Sequence, residues 1–182
     1  TKTIAEGSGS GEFSATGSEL TEGRTYYIRA YATNSKETVY GGEIEMDYTA
    51  VMPVVKTVSV VNKNIAAGTA TFKGNVVSLG DLPYTERGFV YGIVHNPTTD
   101  DSKITASGSG TGDFTATASQ LQEGQTYYIR AFVTNKKGTV YGEEIEMDYT
   151  AIMPVIQTVS IIDKNIAEGI AVIKGNVVSL GD

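Results

Sequence analysis

Displacing the chain by 101 positions lays Thr1–Asp81 over Ser102–Asp182 without a gap, and about two-thirds of the superimposed residues are identical. Tyr26 falls on Tyr127, Gly41 on Gly142 and Met52 on Met153. A repeat of about 100 residues restricts the fold strongly, because each copy has to build the same structural unit. The register of a repeat is arbitrary, so the start of a unit must come from chain chemistry. The best boundary precedes Met52-Pro53 and Met153-Pro154, where a strand ending in Tyr48-Thr49 meets a proline that cannot donate to a sheet ladder. Residues 52–152 are then one complete unit, residues 1–51 the back part of a preceding one, and residues 153–182 the front part of a third. Both ends of the chain are expected to fall inside a domain, as in an excerpt that lacks an initiator Met or signal-like segment at Thr1.

Inside the unit the clearest element runs from Tyr127 to Thr134. One alternate set is Tyr127, Ile129, Ala131 and Val133, and the other is Tyr128, Arg130, Phe132 and Thr134, which predicts a long strand with one buried and one mostly wet face. Further strands are expected at Val54–Val61, Thr69–Ser78, Glu86–Val94, Lys103–Ala106, Phe114–Ala118 and Thr139–Thr150. Turns are marked by Leu79-Gly80-Asp81-Leu82-Pro83 and Gly108-Ser109-Gly110-Thr111-Gly112. No stretch has a convincing 3.6-residue apolar period, and 21 Gly and 11 Tyr accompany frequent Val, Thr and Ile. Seven short strands at this spacing predict an all-β fold of tandem sandwiches.

Charge and cysteine content remove several function classes. The net charge of −7, with 21 carboxylates against 14 Lys and Arg, argues against a nucleic-acid partner and against anionic lipid surfaces. No apolar run approaches the roughly 20 residues needed to cross a bilayer. Zero Cys eliminates disulfides, thiolate metal sites and a cysteine nucleophile, and leaves the redox compartment open.

The order Leu121, Gly124, Thr126, Tyr127, Ile129, Ala131, Val133, Asn135, repeated as Leu20, Gly23, Thr25, Tyr26, Ile28, Ala30, Ala32, Asn34, resembles the sixth strand of fibronectin type III domains, whose Tyr forms a tyrosine corner. Thr85-Glu86-Arg87-Gly88-Phe89-Val90-Tyr91, Asn96-Pro97-Thr98-Thr99 and Gly108–Phe114, with Arg130-Ala131, are similar to fibronectin type III-like repeats of long secreted or surface proteins of bacteria. The resemblance spans the chain and implies seven-stranded immunoglobulin-like (fibronectin type III) β-sandwiches. Such modules act mostly as spacers, adhesive surfaces or accessory parts of secreted enzymes. One departure is the missing second-strand Trp, for which Phe72 or Ile173 would stand in.

Chemical motifs are few. His95 is the only His, so a zinc site of His and Cys is impossible, and its Pro-flanked setting reads as an exposed loop. Gly7–Gly11 and Gly108–Gly112 lack the Gly-Lys-Ser/Thr sequence and the helix of a phosphate cradle. Leu82-Pro83-Tyr84-Thr85-Glu86 has Glu where a sortase signal requires Gly, and Arg87-Gly88-Phe89 reads as strand. The acids Glu43, Glu45 and Asp47, repeated as Glu144, Glu146 and Asp148, share a strand face. Side chains two apart lie about 6.5–7 Å from each other, which suits a charged outer face better than a cation site. Asp100-Asp101 with Thr98 and Asn96 is a second candidate for calcium. The possible binding face is an aromatic-cation-aromatic stripe, Tyr128, Arg130 and Phe132, matched by Tyr27, Arg29 and Tyr31. Its alternative is self-contained, with Arg130 paired to the neighbouring acidic row and the rings covering its stem.

These readings lead to a structural repeat module of an extended extracellular stalk, adhesin or filament, secreted or on the cell surface. The competing reading is a carbohydrate-binding or accessory module of a secreted enzyme. No catalytic activity, cofactor or metal site is expected within these residues. The partners expected are neighbouring repeat units in the same chain, other copies of the chain in a filament, and a glycan or surface protein. The apolar joint Tyr149-Thr150-Ala151-Ile152-Met153-Pro154 predicts that neighbours pack rather than swing. Partial units at either end would expose apolar faces, to be completed by residues of a longer chain or by another copy.

Overall fold

The computed structural model describes residues 2–6 and 8–181. Thr1, Gly7 and Asp182 lie outside the described residues, and with Gly7 one position of the first Gly-Ser loop. Twelve strands and no helix are found among the described residues, so no helix is long and apolar enough to cross a membrane. Two compact units, Thr1–Val51 and Met52–Asp182, divide the chain.

The first unit contains one antiparallel ribbon, β1 (Thr25–Thr33) and β2 (Thr38–Asp47), irregular between Arg29 and Tyr31. Its turn is closed by the Asn34 side-chain carbonyl, which accepts from Lys36 N at 2.8 Å and Glu37 N at 3.1 Å. The Tyr26 hydroxyl accepts from Thr21 N at 2.7 Å. Residues 12–18 form no strand.

In the second unit the strands are β3 (Val54–Asn64), β4 (Thr69–Ser78), β5 (Tyr84–Gly92), β6 (Ser102–Thr105), β7 (Gly112–Ala118), β8 (Gln125–Asn135), β9 (Gly138–Tyr141), β10 (Ile145–Tyr149), β11 (Val155–Asn165) and β12 (Ile170–Ser179). One sheet has the order β3-β4-β7, and the other β10-β8-β5-β6 with β9 also on β8; every pairing is antiparallel. The inner faces meet over a core of Val55, Ala70, Phe72, Val76 and Phe114 from the first sheet and Phe89, Ile129, Ala131, Val133, Met147 and Tyr149 from the second. The alternation Tyr127, Ile129, Ala131, Val133 is thus the buried face of the central strand β8. Phe72 takes the place expected for the missing Trp. Its ring packs edge-on against Phe89 (5.7 Å between centroids) and Tyr91 (5.8 Å), whereas Ile173 is exposed.

The tyrosine corner implied by the resemblance is present: the Tyr127 hydroxyl accepts from Gln122 N at 2.8 Å. It fixes the entry of β8 beneath Leu121, whose own N–H donates to the Gly68 carbonyl.

The sandwich has eight strands rather than the seven expected, because the last strand, read as Thr139–Thr150, is two. The cause is tertiary. At the break a Cβ on Gly142 would stand 2.5 Å from Thr57 N, so β3 presses against this point. Ala131 N donates to Thr57 Oγ1 at 2.8 Å, while Gly142 N donates to the Ala131 carbonyl at 2.8 Å. In the first unit the matching sequence, with Gly42 in place of Glu143 and Gly41 uncovered, runs as the single strand β2.

The hairpin β11–β12 repeats β3–β4, including three register shifts at corresponding places, and no other strand of its unit packs on it.

Candidate functional site

The stripe foreseen as a binding face lies on the outer side of the β10-β8-β5-β6 sheet. There Tyr128 pairs with Glu146 and Gly92, Arg130 with Val90, and Phe132 with Gly88 and Tyr141. Phe132 is not an exposed ring: its accessibility is 0%. Its cross-strand partner is Gly88, where the β6 backbone closes in so tightly that any Cβ would collide with the Ile104 carbonyl. Lys103 Nζ sits 5.8 Å over the ring and reaches Glu86 at 2.9 Å, its stem covering Phe132 and Val90. Arg130 is held locally. Its Nε donates to the Gly142 carbonyl at 3.0 Å and its guanidinium lies 4.7 Å over the Tyr141 ring. The guanidinium thus bonds a backbone carbonyl and covers a ring, where the self-contained alternative pairs it with the acidic row.

In the first unit the face is more open. Tyr27 and Arg29 are exposed, and Tyr31 is half-buried. Arg29 Nε donates to the Gly41 carbonyl at 2.9 Å, and its guanidinium lies 5.1 Å over Tyr40. The acidic row faces this stripe across the ribbon, Glu43 opposite Arg29, Glu45 opposite Tyr27 and Asp47 opposite Thr25. Opposite charges at such positions stabilise a strand pair.

Tyr128 has a partner that the sequence did not suggest. The imidazole of His95 stacks on it at 3.8 Å between centroids and 33° between planes. His95 Nδ1 lies 2.7 Å from Glu144 Oε1, and Glu144 Oε2 accepts from Asn96 N. Asn96 has φ of 59°, a left-handed conformation that an Asn tolerates. Glu144 thereby clasps the loop after β5 to the segment between β9 and β10. Burial opposes its ionisation, but His95, the Asn96 N–H and Arg130 outweigh burial and hold the carboxyl below its ordinary range. His95 is exposed, as expected, and also engaged. Its partner lies 49 residues away, a distance that no local motif reveals.

Beside this cluster a cleft of about 310 Å³ is lined by Tyr91, Ile93, Val94, His95, Asp101 and Tyr127, among others. Ile93 and Val94 are exposed at its rim. Burial, with Tyr127 adding to it, raises the Tyr91 phenol above its ordinary value. Rings with a few polar groups suit a sugar or an apolar side chain better than an ion.

The other candidates resolve into structural roles. Asp101 accepts from Thr98 N at 2.8 Å, closing its own turn. Among the described residues no three His, Asp or Glu side chains gather as a metal site would require. The Gly108–Gly112 loop turns carbonyls inward: Ser107 O receives Arg87 Nη2 at 2.6 Å and Gly110 O receives the Tyr84 hydroxyl at 2.9 Å. Arg87 is buried on the inner face of β5, its guanidinium 5.0 Å over Phe114. A Cβ on Gly108 would press on that guanidinium. Sequence reasoning placed Arg87 in a strand but left its face open, because Gly88 and Gly92 blur the alternation.

No protein-family model matches the chain, and no curated protein matches it. Among solved structures, the crystal structure of chicken CNTN1 FN1-FN3 domains is similar at 13% sequence identity and a TM-score of 0.40, over 78% of this chain and 53% of that one. The chain thus spans about half the length of that structure.

Proposed function

We propose that this chain is a stretch of a tandem array of fibronectin type III-like sandwiches and that the array is structural, an extended extracellular stalk or filament that displays an adhesive activity. The observation that carries this reading is the repeat itself, in which residues that build the module are among those kept between copies. Tyr26 and Tyr127 hold the tyrosine corner and Asn34 and Asn135 the ribbon turn in both copies, and Gly142, kept as Gly41, lies where β3 crosses. A spacer needs one module many times, whereas a dedicated site needs only one. The strand pairing and the tyrosine corner support the fibronectin type III-like assignment. An extracellular setting on a bacterial secreted or surface protein follows from the resemblance of the sequence motifs.

The second reading is a carbohydrate-binding or accessory module of a secreted enzyme. The exposed Tyr27 and the aromatic cleft beside His95 favour it. A glycan array separates the two. The structural reading expects no glycan retained by the 182-residue chain, while binding abolished by Tyr27→Ala or Tyr128→Ala, with the fold intact by circular dichroism, would replace it with the second. Phe132→Ala cannot serve, because removing a fully buried ring destabilises the sheet.

A further inference from the structure

Where the complete sandwich passes to the following repeat unit, the chain is held on both sides. On the side of the sandwich it is held as far as Tyr149. The Tyr149 carbonyl accepts from Gly124 N at 3.1 Å, and the hydroxyl lies 2.7 Å from the Asn64 carbonyl and 3.1 Å from that of Thr69. On the side of the following unit the hold begins at Ile152. The turn after β12 brings Gly181 so close that a Cβ there would collide with the Ile152 carbonyl and stand 3.1 Å from the Met153 carbonyl carbon. Gly181 has φ of 76°, which costs a glycine nothing, and its N–H donates to Ser179 Oγ at 3.2 Å. The turn belongs to the local sequence. Gly80 has φ of 65° and donates to Ser78 Oγ at 3.2 Å, and Ser78-Leu79-Gly80-Asp81 is identical to Ser179-Leu180-Gly181-Asp182.

We propose that this glycine is a joint lock: by admitting the backbone of the passing chain, Gly181 and its counterpart Gly80 fasten each unit to the end of the segment before it and fix the direction in which successive units continue. The inference rests on the tandem-array reading and names the residue on which the stiffness of the array depends. Thr150 and Ala151 are all that separates the two holds, and the three Cα steps from Tyr149 to Ile152 span at most about 11 Å. The facing ends of neighbouring units are then within reach of each other, and so short a tether has little conformational freedom to lose when they meet.

A side chain at the glycine would act on the joint and spare the sandwich. The core cluster lies wholly between Val55 and Tyr149, and neither β11 nor β12 packs on it, so residues 52–152 form a self-contained unit. Pushing the backbone of residues 152 and 153 away from the turn leaves that core intact. It lengthens the tether from two residues to four, because Ile152 and Met153 join Thr150 and Ala151.

Pulsed EPR on two tandem copies of residues 52–152 tests the lock, with a spin label at the exposed Thr115→Cys of each copy, since the chain has no Cys of its own. The parent pair should give one narrow distance distribution. Gly80→Asn in the second copy should broaden it at least about twofold, because Asn accepts a left-handed φ yet brings the Cβ that the joint cannot admit. An unchanged width overturns the lock and leaves the array reading standing. A distribution already broad in the parent pair overturns the stiff array and the lock together. Should the variant unfold the second copy, inserting Gly-Ser-Gly between Thr150 and Ala151 decides, with Gly80 intact. The short tether predicts the same broadening there, and an unchanged width overturns the proposal.

Discussion

Single residues carry more of this fold than their chemistry advertises. Tyr127 is a core ring whose hydroxyl fixes the chain five residues earlier. Tyr127→Phe should cost about 1 kcal/mol, read as a lower urea midpoint with an unchanged slope. Gly142 matters through what approaches it, and Gly142→Ala should cost about 1–3 kcal/mol by forcing β3 off the crossing. Two carboxylates contribute to the loss of stability in acid. Asp113 is held below its ordinary range by Lys73 and Asn75, and Glu144 by His95, Asn96 N–H and Arg130 against the opposing effect of burial. Their folded values lie below the unfolded ones, so their stabilisation is complete above the ordinary carboxylate range near about pH 4 and fades as pH falls through the folded values. Urea midpoints measured from neutral to acid pH should decline on that side, and Glu144→Gln should flatten the decline slightly, because the site is open to solvent. At the alkaline end burial raises the Tyr149 phenol. The sign there is reversed, with stability retained up to the ordinary phenol value and lost as pH rises through the folded one.

Elements differ in how far their own sequence determines them. The β3–β4 hairpin is local: its repeat β11–β12 forms the same ribbon with the same three irregularities and no other strand of its unit packed on it. Asn64 and Gly68 set its turn, as Asn165 and Gly169 do in the repeat. Periodicity therefore placed β4 and the buried face of β8, and placed β3 apart from its last three residues. It could not read two other features, which belong to tertiary packing. The break between β9 and β10 comes from β3 crossing at Gly142, whereas the strand expected at Phe114–Ala118 is present as β7 beside β4. The burial of Phe132 depends on neighbouring strands, with Lys103, remote in sequence, lying over its ring. The site was legible in the same uneven way, with Tyr128 and Arg130 correctly placed on the outer face and the His95–Glu144 clasp invisible. Phe72→Ala should remove about 3–5 kcal/mol, because the ring bridges the two sheets against Phe89 and Tyr91.

For the whole molecule the central claim is that the repeat makes a stiff array. The joint Tyr149-Thr150-Ala151-Ile152-Met153-Pro154 has no Gly, Ser or charge, and a proline after two apolar side chains restricts the turn at which a neighbour leaves. Exposed Ile93 and Val94 lie on the loop that follows β5, whose last residue, Gly92, pairs with Tyr128 near the start of β8. Since β10 ends beside the start of β8, these side chains stand at the end of the sandwich from which the chain departs, and an adjoining module would gain by covering them. Small-angle X-ray scattering on chains carrying two, four and six tandem copies of residues 52–152 tests the claim most directly. A rod gives a maximum dimension that grows in proportion to the number of units, with a scattering profile of constant cross-section. A dimension that grows as the square root of that number, the behaviour of freely jointed domains, would contradict it.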